Sequence, residues 1–188
     1  MTTPGLVSSA TDDATELHIV SDFNAFMADR SDAAKAWVAS QSYTASAGAH
    51  LFVPPFGQDV AFVVVGASSE PCLATLGALA TALPPGQYAP ATPIDELDAL
   101  GWVLGAYQYT RYKPAKRAPA ELVIDDPALF ASLARAAEAT ALTRDLINAP
   151  ANDMLPSHLE AASRELADAF KATLEVTTGD ELLDAGYN

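Results

Sequence analysis

Cysteine is almost absent: Cys72 is the only one in 188 residues. A single thiol can form neither an internal disulfide nor a cysteine-rich metal site, so a reducing compartment is the default expectation. Histidine is scarce too. His18, His50 and His158 lie far apart in the chain, and His158 and Glu160 would fall on different faces of a helix, so none has a second ligand at metal spacing. Basic residues are outnumbered, 10 Lys and Arg against 24 Asp and Glu, which leaves a net charge of −14 and a pI near 4.3. A field of that sign repels phosphate backbones, so nucleic acid is not an expected partner. No stretch approaches the roughly 18 uninterrupted apolar residues of a membrane helix. Residues 1–16 have neither the basic start nor the apolar core of a signal peptide. A soluble, cytoplasmic protein with no membrane partner is expected.

Several catalytic signatures are also missing. There is no Gly-x-Ser-x-Gly elbow, no phosphate-cradling glycine loop and no zincin pattern. No catalytic, cofactor-binding or metal-ligating residue is therefore nominated within the chain. Cys72 follows Pro71 near the start of an expected helix, where the helix N-terminus could lower a thiol pKa; the alternative is a small packed residue. Asp95, Glu96 and Asp98 read as negative charge placed at the positive end of a helix. Residues 111–117, Arg-Tyr-Lys-Pro-Ala-Lys-Arg, hold four of the ten basic residues. Interleaved with tyrosine they could meet nucleic acid, but Pro114, Pro119 and the acidic remainder favour a solvated linker.

What is present is enough apolar material to fold, half of all residues, sufficient for one core or for one domain and the beginning of another. After an expected mobile tail over 1–16, Leu17 to Val20 reads as a short strand. Ser31-Asp32 opens a helix with Ala33, Ala36, Trp37 and Ser40 at helical spacing. His50 to Val53 is stopped by Pro54-Pro55, and Val60 to Val65 by Gly66. The second run is apolar without alternation, as in a strand covered on both faces. Pro71 opens a helix through Leu83, Gln87 to Ala89 is a weak strand, and Pro93 opens a helix with Leu97, Leu100, Val103, Leu104 and Tyr107 on one stripe. Glu121 to Ile124 is a further short strand. Asp125-Asp126-Pro127 starts a long helix to Ile147 with Phe130, Leu133, Ala137, Ala141 and Leu142 along one side. Asn148 can close it, since Pro150 cannot continue it, and Pro156 suits the first turn of another helix through Leu159, Ala162, Leu166 and Phe170. Leu174 to Thr177 is expected as a strand and 179–181 as the start of a last helical turn. The class is α/β.

Two stretches carry a more specific likeness. Arg144 to Pro156, followed by Leu159, resembles the segment that opens the catalytic domain of the leucyl (cytosol) aminopeptidases, peptidase family M17. Leu155 stands where that family usually has threonine, so a side-chain N-cap is lost. Leu100-Gly101-Trp102-Val103-Leu104-Gly105-Ala106-Tyr107-Gln108-Tyr109-Thr110-Arg111-Tyr112-Lys113 resembles the string that closes the family's non-catalytic N-terminal domain. Its glycines, aromatic spacing and Arg111-Tyr112-Lys113 agree, while Ala106, Gln108 and Thr110 differ.

The resemblance implies a mixed sheet flanked by helices, similar to a macro domain, over 17–112. A linker and connecting helix would follow over 113–149, and a truncated start of the peptidase domain over 150–188. It implies an enzyme that releases N-terminal residues from peptides with two divalent metal ions, manganese or zinc, held by a lysine and carboxylates. A second lysine and an arginine beside a bicarbonate would complete that site. Those motifs lie downstream of the matched segment, so no metal is expected in this span and the chain alone is expected to be inactive. The family assembles as hexamers, so a homo-oligomer is expected. The alternative is a non-catalytic α/β binding or assembly module, against which the break at 186–188, within a helix-to-strand transition, is an argument.

Overall fold

A computed structural model describes residues 3–56 and 60–187, so the first two residues of the expected tail and Asn188 lie outside the described residues. The chain forms two compact units, Met1–Ala141 and Leu142–Asn188.

The first unit is built on a six-stranded mixed sheet. In chain order its strands are β1 (Leu6–Val7), β2 (Thr15–Val20), β3 (His50–Val53), β4 (Phe62–Gly66), β5 (Gln87–Pro90) and β6 (Glu121–Val123), and in space they run β1-β6-β5-β2-β4-β3. Every neighbouring pair is parallel except β3 with β4. β4 has the double-sided burial that its unbroken apolar run implies. Val63 and Val65 enter one core with Leu17, Leu76, Trp102 and Leu122, while Phe62 and Val64 enter a second core with Met27, Ala34 and Val38. Helices cover both faces for that reason.

α1 (Phe23–Ala28) and α2 (Asp32–Ser40) serve the second core. Ser31 caps α2 as expected, its Oγ accepting the Ala34 N–H at 3.2 Å. The buried face is Ala34 and Val38, one position round from the stripe read off the sequence. α1 has no counterpart in the sequence reading; Asp22 caps it by accepting the Ala25 N–H at 2.9 Å.

The stretch from Pro71 to Leu83 is two short helices, α3 (Leu73–Leu76) and α4 (Leu79–Ala82), with a turn at Gly77-Ala78. The next helix, α5 (Glu96–Gly105), lies against them. A Cβ at Gly101 would collide with the Leu73 carbonyl oxygen, and one at Gly105 with the Gly77 carbonyl oxygen. Only glycine lets these helices approach so closely. Asp95, and not Pro93, sets the start of α5, and its buried side is Asp98, Ala99, Gly101, Trp102 and Val103; Leu97 of the expected stripe is exposed.

Two boundaries read from sequence are corrected. Of the expected tail over 1–16, residues 3–16 are not outside the fold: β1 pairs with β6, Leu6 is buried, and β2 already starts at Thr15. The first domain also does not close at 112, because β6 sits inside the sheet between β1 and β5, with Leu122 and Ile124 in the larger core. β1 is too short to show a pattern, and β6, expected as a short strand, carries no local mark of its place inside the sheet; partners distant in sequence supply the hydrogen bonds of both.

α6 (Pro127–Asn148) starts where Asp125-Asp126-Pro127 places it, and Phe130, Leu133 and Ala137 of its first half pack on the larger core. In the second unit a short turn of helix (Ala151–Asp153) precedes α7 (Pro156–Phe170) and α8 (Glu181–Asp184). Leu155 offers α7 no side-chain cap, and the His158 Nδ1 instead accepts the Leu155 N–H at 3.1 Å. Residues 174–177 are not a strand. A strand exists only where a neighbour completes its ladder, and the second unit has no strand among its described residues.

Candidate functional site

The carboxyl ends of β5 and β6 open into a crevice of about 580 Å³, formed by the turn 90–94, the segment 123–126 and Leu129. Its position follows from topology. Parallel strands point the same ends toward the same rim, and the loops leaving them form a crevice there. Ile94, Val123, Ile124 and Leu129 give it an apolar lining, while Thr92, Asp125 and Asp126 contribute polar groups. α6 starts at this rim, but its free N–H groups are already taken: the Asp126 Oδ1 accepts from Ala128 at 2.8 Å and from Leu129 at 3.4 Å. At the start of α5, just beyond Ile94, Asp95 does the same for the Leu97 N–H at 2.8 Å. The Ser132 hydroxyl donates to Glu96 Oε1 at 2.9 Å, tying α6 to α5. Neither a hydrogen bond nor an ion pair holds the side chains of Asp125 and Thr92 among the described residues. No lysine or arginine lines the crevice.

Cys72 is half-buried at the N-cap of α3. Its Sγ lies 3.4 Å from Thr75 Oγ1 and 3.5 Å from Ser68 Oγ. The Thr75 and Ser68 hydroxyls and the Ala74 and Thr75 N–H groups stabilise the thiolate and lower its pKa to about 7. Asp98, on the buried side of α5, accepts the Cys72 N–H at 2.9 Å. Of the acidic trio, expected as charge at the helix's positive end, Asp95 proves to be the N-cap itself. Asp98 instead fastens α5 to α3 across 26 positions of sequence.

The histidines stay apart from one another. His18 bonds Glu16 Oε2 at 3.0 Å and packs on Phe26 and Phe62, and the guanidinium of Arg30 stacks on the same two rings at 4.4 and 4.9 Å. Burial lowers the His18 pKa, the bond to Glu16 partly offsets this, and Arg30 lowers it further. His50, on the edge strand β3, is lowered by burial alone. Residues 111–118 are exposed; the Arg117 guanidinium donates to the Thr81 carbonyl, and Arg111 stacks on Tyr112. Among the described residues no three His, Cys, Asp or Glu side chains converge to hold a metal ion. Sequence reasoning missed the crevice, and no local signal marks Thr92 or Asp125, which only the pairing of β5 with β6 brings to one rim.

Comparison with known proteins places this geometry. Residues 15–125 match the family model of the M17 aminopeptidase N-terminal domain. A probable cytosol aminopeptidase from Rhodococcus opacus (strain B4) is 33% identical over 116 residues, which span 52% of this chain and 23% of that relative. The crystal structure of a cytosol aminopeptidase from Coxiella burnetii has the same fold, with a TM-score of 0.83 at 23% identity over 95% of this chain and 41% of that one. The bottromycin maturation enzyme BotP, in complex with Mn, aligns with a TM-score of 0.66 and 23% identity over 94% of this chain and 40% of its own. The chain thus spans less than half the length of the relatives it matches.

Proposed function

The chain belongs to the M17 aminopeptidase family through its N-terminal domain, and from that premise we propose that it is the non-catalytic N-terminal part of a metal-dependent leucyl aminopeptidase. The whole enzyme would release N-terminal amino acids from peptides in the cytoplasm, as a homo-oligomer of the hexameric kind. The observation that carries this is the match over 15–125, together with a fold that covers nearly all of this chain but only 41% of the Coxiella enzyme.

Two divalent ions, manganese or zinc, would supply the chemistry by activating a water and polarising the scissile carbonyl. The described residues do not fit such a centre, since no three ligands converge among them. No step of hydrolysis is therefore assigned to them. What residues 142–187 offer is an apolar surface. Leu159, Leu166 and Phe170 recur along α7 at helical spacing and are 50%, 45% and 78% exposed. A face of that kind is stable when another layer covers it. In this reading residues 150–187 open the peptidase domain, and the layer is the remainder of that domain.

A direct test is to isolate the gene product from its own cells with an antibody to the 188-residue chain. It should run well above 19.6 kDa and cleave leucine p-nitroanilide in a manganese- or zinc-dependent way. The recombinant chain should show neither turnover nor retained metal after dialysis. A native product of the chain's own mass, without activity, would overturn the proposal in favour of a binding or assembly module, the reading that the crevice at β5 and β6 favours.

A further inference from the structure

We propose that the crevice at the carboxyl ends of β5 and β6 binds small primary amines with an apolar body, the ammonium at Asp125 and Thr92 and the body against Ile94 and Leu129.

Location and size come first. In open α/β sheets ligands lie outside the carboxyl ends of the strands where the strand order reverses; here the order reverses between β2 and β5, and the crevice lies beside that point, at the carboxyl ends of β5 and β6. The volume of about 580 Å³ is within the usual range of small-molecule sites, roughly 300 to 1,000 Å³. The sign of the ligand's charge follows from the caps. A helix N-terminus attracts anions through unbonded N–H groups, but Asp126 already takes the Ala128 and Leu129 N–H groups of α6, and Asp95 takes the Leu97 N–H of α5. With no lysine or arginine in the lining, an anion would meet only carboxylates. A cation meets the Asp125 carboxylate and the Thr92 hydroxyl, both exposed in the crevice lining and both without a protein hydrogen bond among the described residues. An ammonium donates charge-assisted hydrogen bonds to such a pair.

The apolar lining selects among cations. A bare divalent ion takes about six to eight oxygen ligands, and no group of even three candidate ligands forms among the described residues. Ile94, Val123, Ile124 and Leu129 instead favour a ligand that removes hydrocarbon from water. The inference rests on the crevice alone and not on the peptidase reading, because it concerns binding to this chain and involves no turnover.

The test is an amide NMR titration of the full chain with phenethylamine, its neutral counterpart phenethyl alcohol and its acidic counterpart phenylacetate. Phenethylamine should shift amides of 91–94 and 123–129, omitting prolines. The alcohol should bind at the same place about fivefold more weakly, the upper range of an exposed ion pair, and phenylacetate should not bind there. Asp125→Asn should reduce amine binding to the level of the alcohol while leaving alcohol binding unchanged, and Leu129→Ala should weaken both. Equal binding of amine and alcohol, shifts confined to other residues, no shifts at all, or amine binding indifferent to Asp125→Asn would each overturn the proposal.

Discussion

The indole N–H of Trp102 donates to the backbone carbonyl of Ala120 across 3.2 Å. Both residues are fully buried, and the bond joins the interior of α5 to the residue that precedes β6. The Ala120 N–H is itself held by the Ala80 carbonyl at 2.7 Å. The exposed basic segment 111–118 is therefore a loop within the first unit and not a boundary between folded parts.

Trypsin should accordingly cut after Arg111, Lys116 or Arg117, and not at the Lys113-Pro114 bond, without separating the pieces. The nicked chain is expected to elute as one species under native conditions and to split only in denaturant, because β6 remains paired with β1 and β5. Release of a stable N-terminal fragment on native size exclusion would restore the domain boundary at 112.

Gly105→Ala separates packing from propensity by sign. In an exposed helix the change stabilises by about 1 kcal/mol. Here the added Cβ would strike the Gly77 carbonyl, and overpacking of this kind costs about 1–3 kcal/mol. Urea unfolding should show a net loss, with Gly101→Ala behaving alike against the Leu73 carbonyl. A gain in stability for either variant would contradict the close approach of α3 and α5.

The Cys72 thiol should alkylate with a half-maximal rate near pH 7, since its pKa is lowered to about 7 by Thr75, Ser68 and two N–H groups. Removing the largest contribution with Thr75→Val, or the next with Ser68→Ala, should move the profile toward higher pH. Iodoacetamide kinetics across pH, read by mass spectrometry, check it. A profile unchanged in both variants would show that the hydroxyls do not act on the sulfur.

Stability should fall as the medium is acidified below pH 6.5, the ordinary histidine pKa. His18 and His50 both have folded-state pKa values lowered by burial, so the unfolded chain binds protons first and is favoured as pH drops toward the folded values. Above pH 6.5 the neutral rings contribute no further dependence. The double variant His18→Gln, His50→Gln should flatten the thermal-unfolding profile between neutral pH and the carboxylate range. An identical slope in wild type and variant would assign the effect to other groups.

Where a feature depends on neighbours along the chain, the sequence alone determined it. Uninterrupted valines required β4 to be covered on both faces, Ser31 fixed the start of α2, and Asp126-Pro127 fixed that of α6. The glycine spacing 101–105 and the string 144–156 carried the family likeness without any fold. Where a feature depends on a partner far away in sequence, only the tertiary structure decided it. β1 has two residues, too few for a period, and is a strand because β6 completes its ladder; β6 was legible as a short strand, but its place between β1 and β5 was not. Residues 174–177, Leu-Glu-Val-Thr, show the converse, an alternating stretch that stays outside any ladder because no neighbouring strand adjoins it among the described residues. Asp98 bonded to Cys72, and Thr92 gathered with Asp125 at one rim, arise the same way. Local patterns record which faces an element must bury, but not which distant segment will meet them.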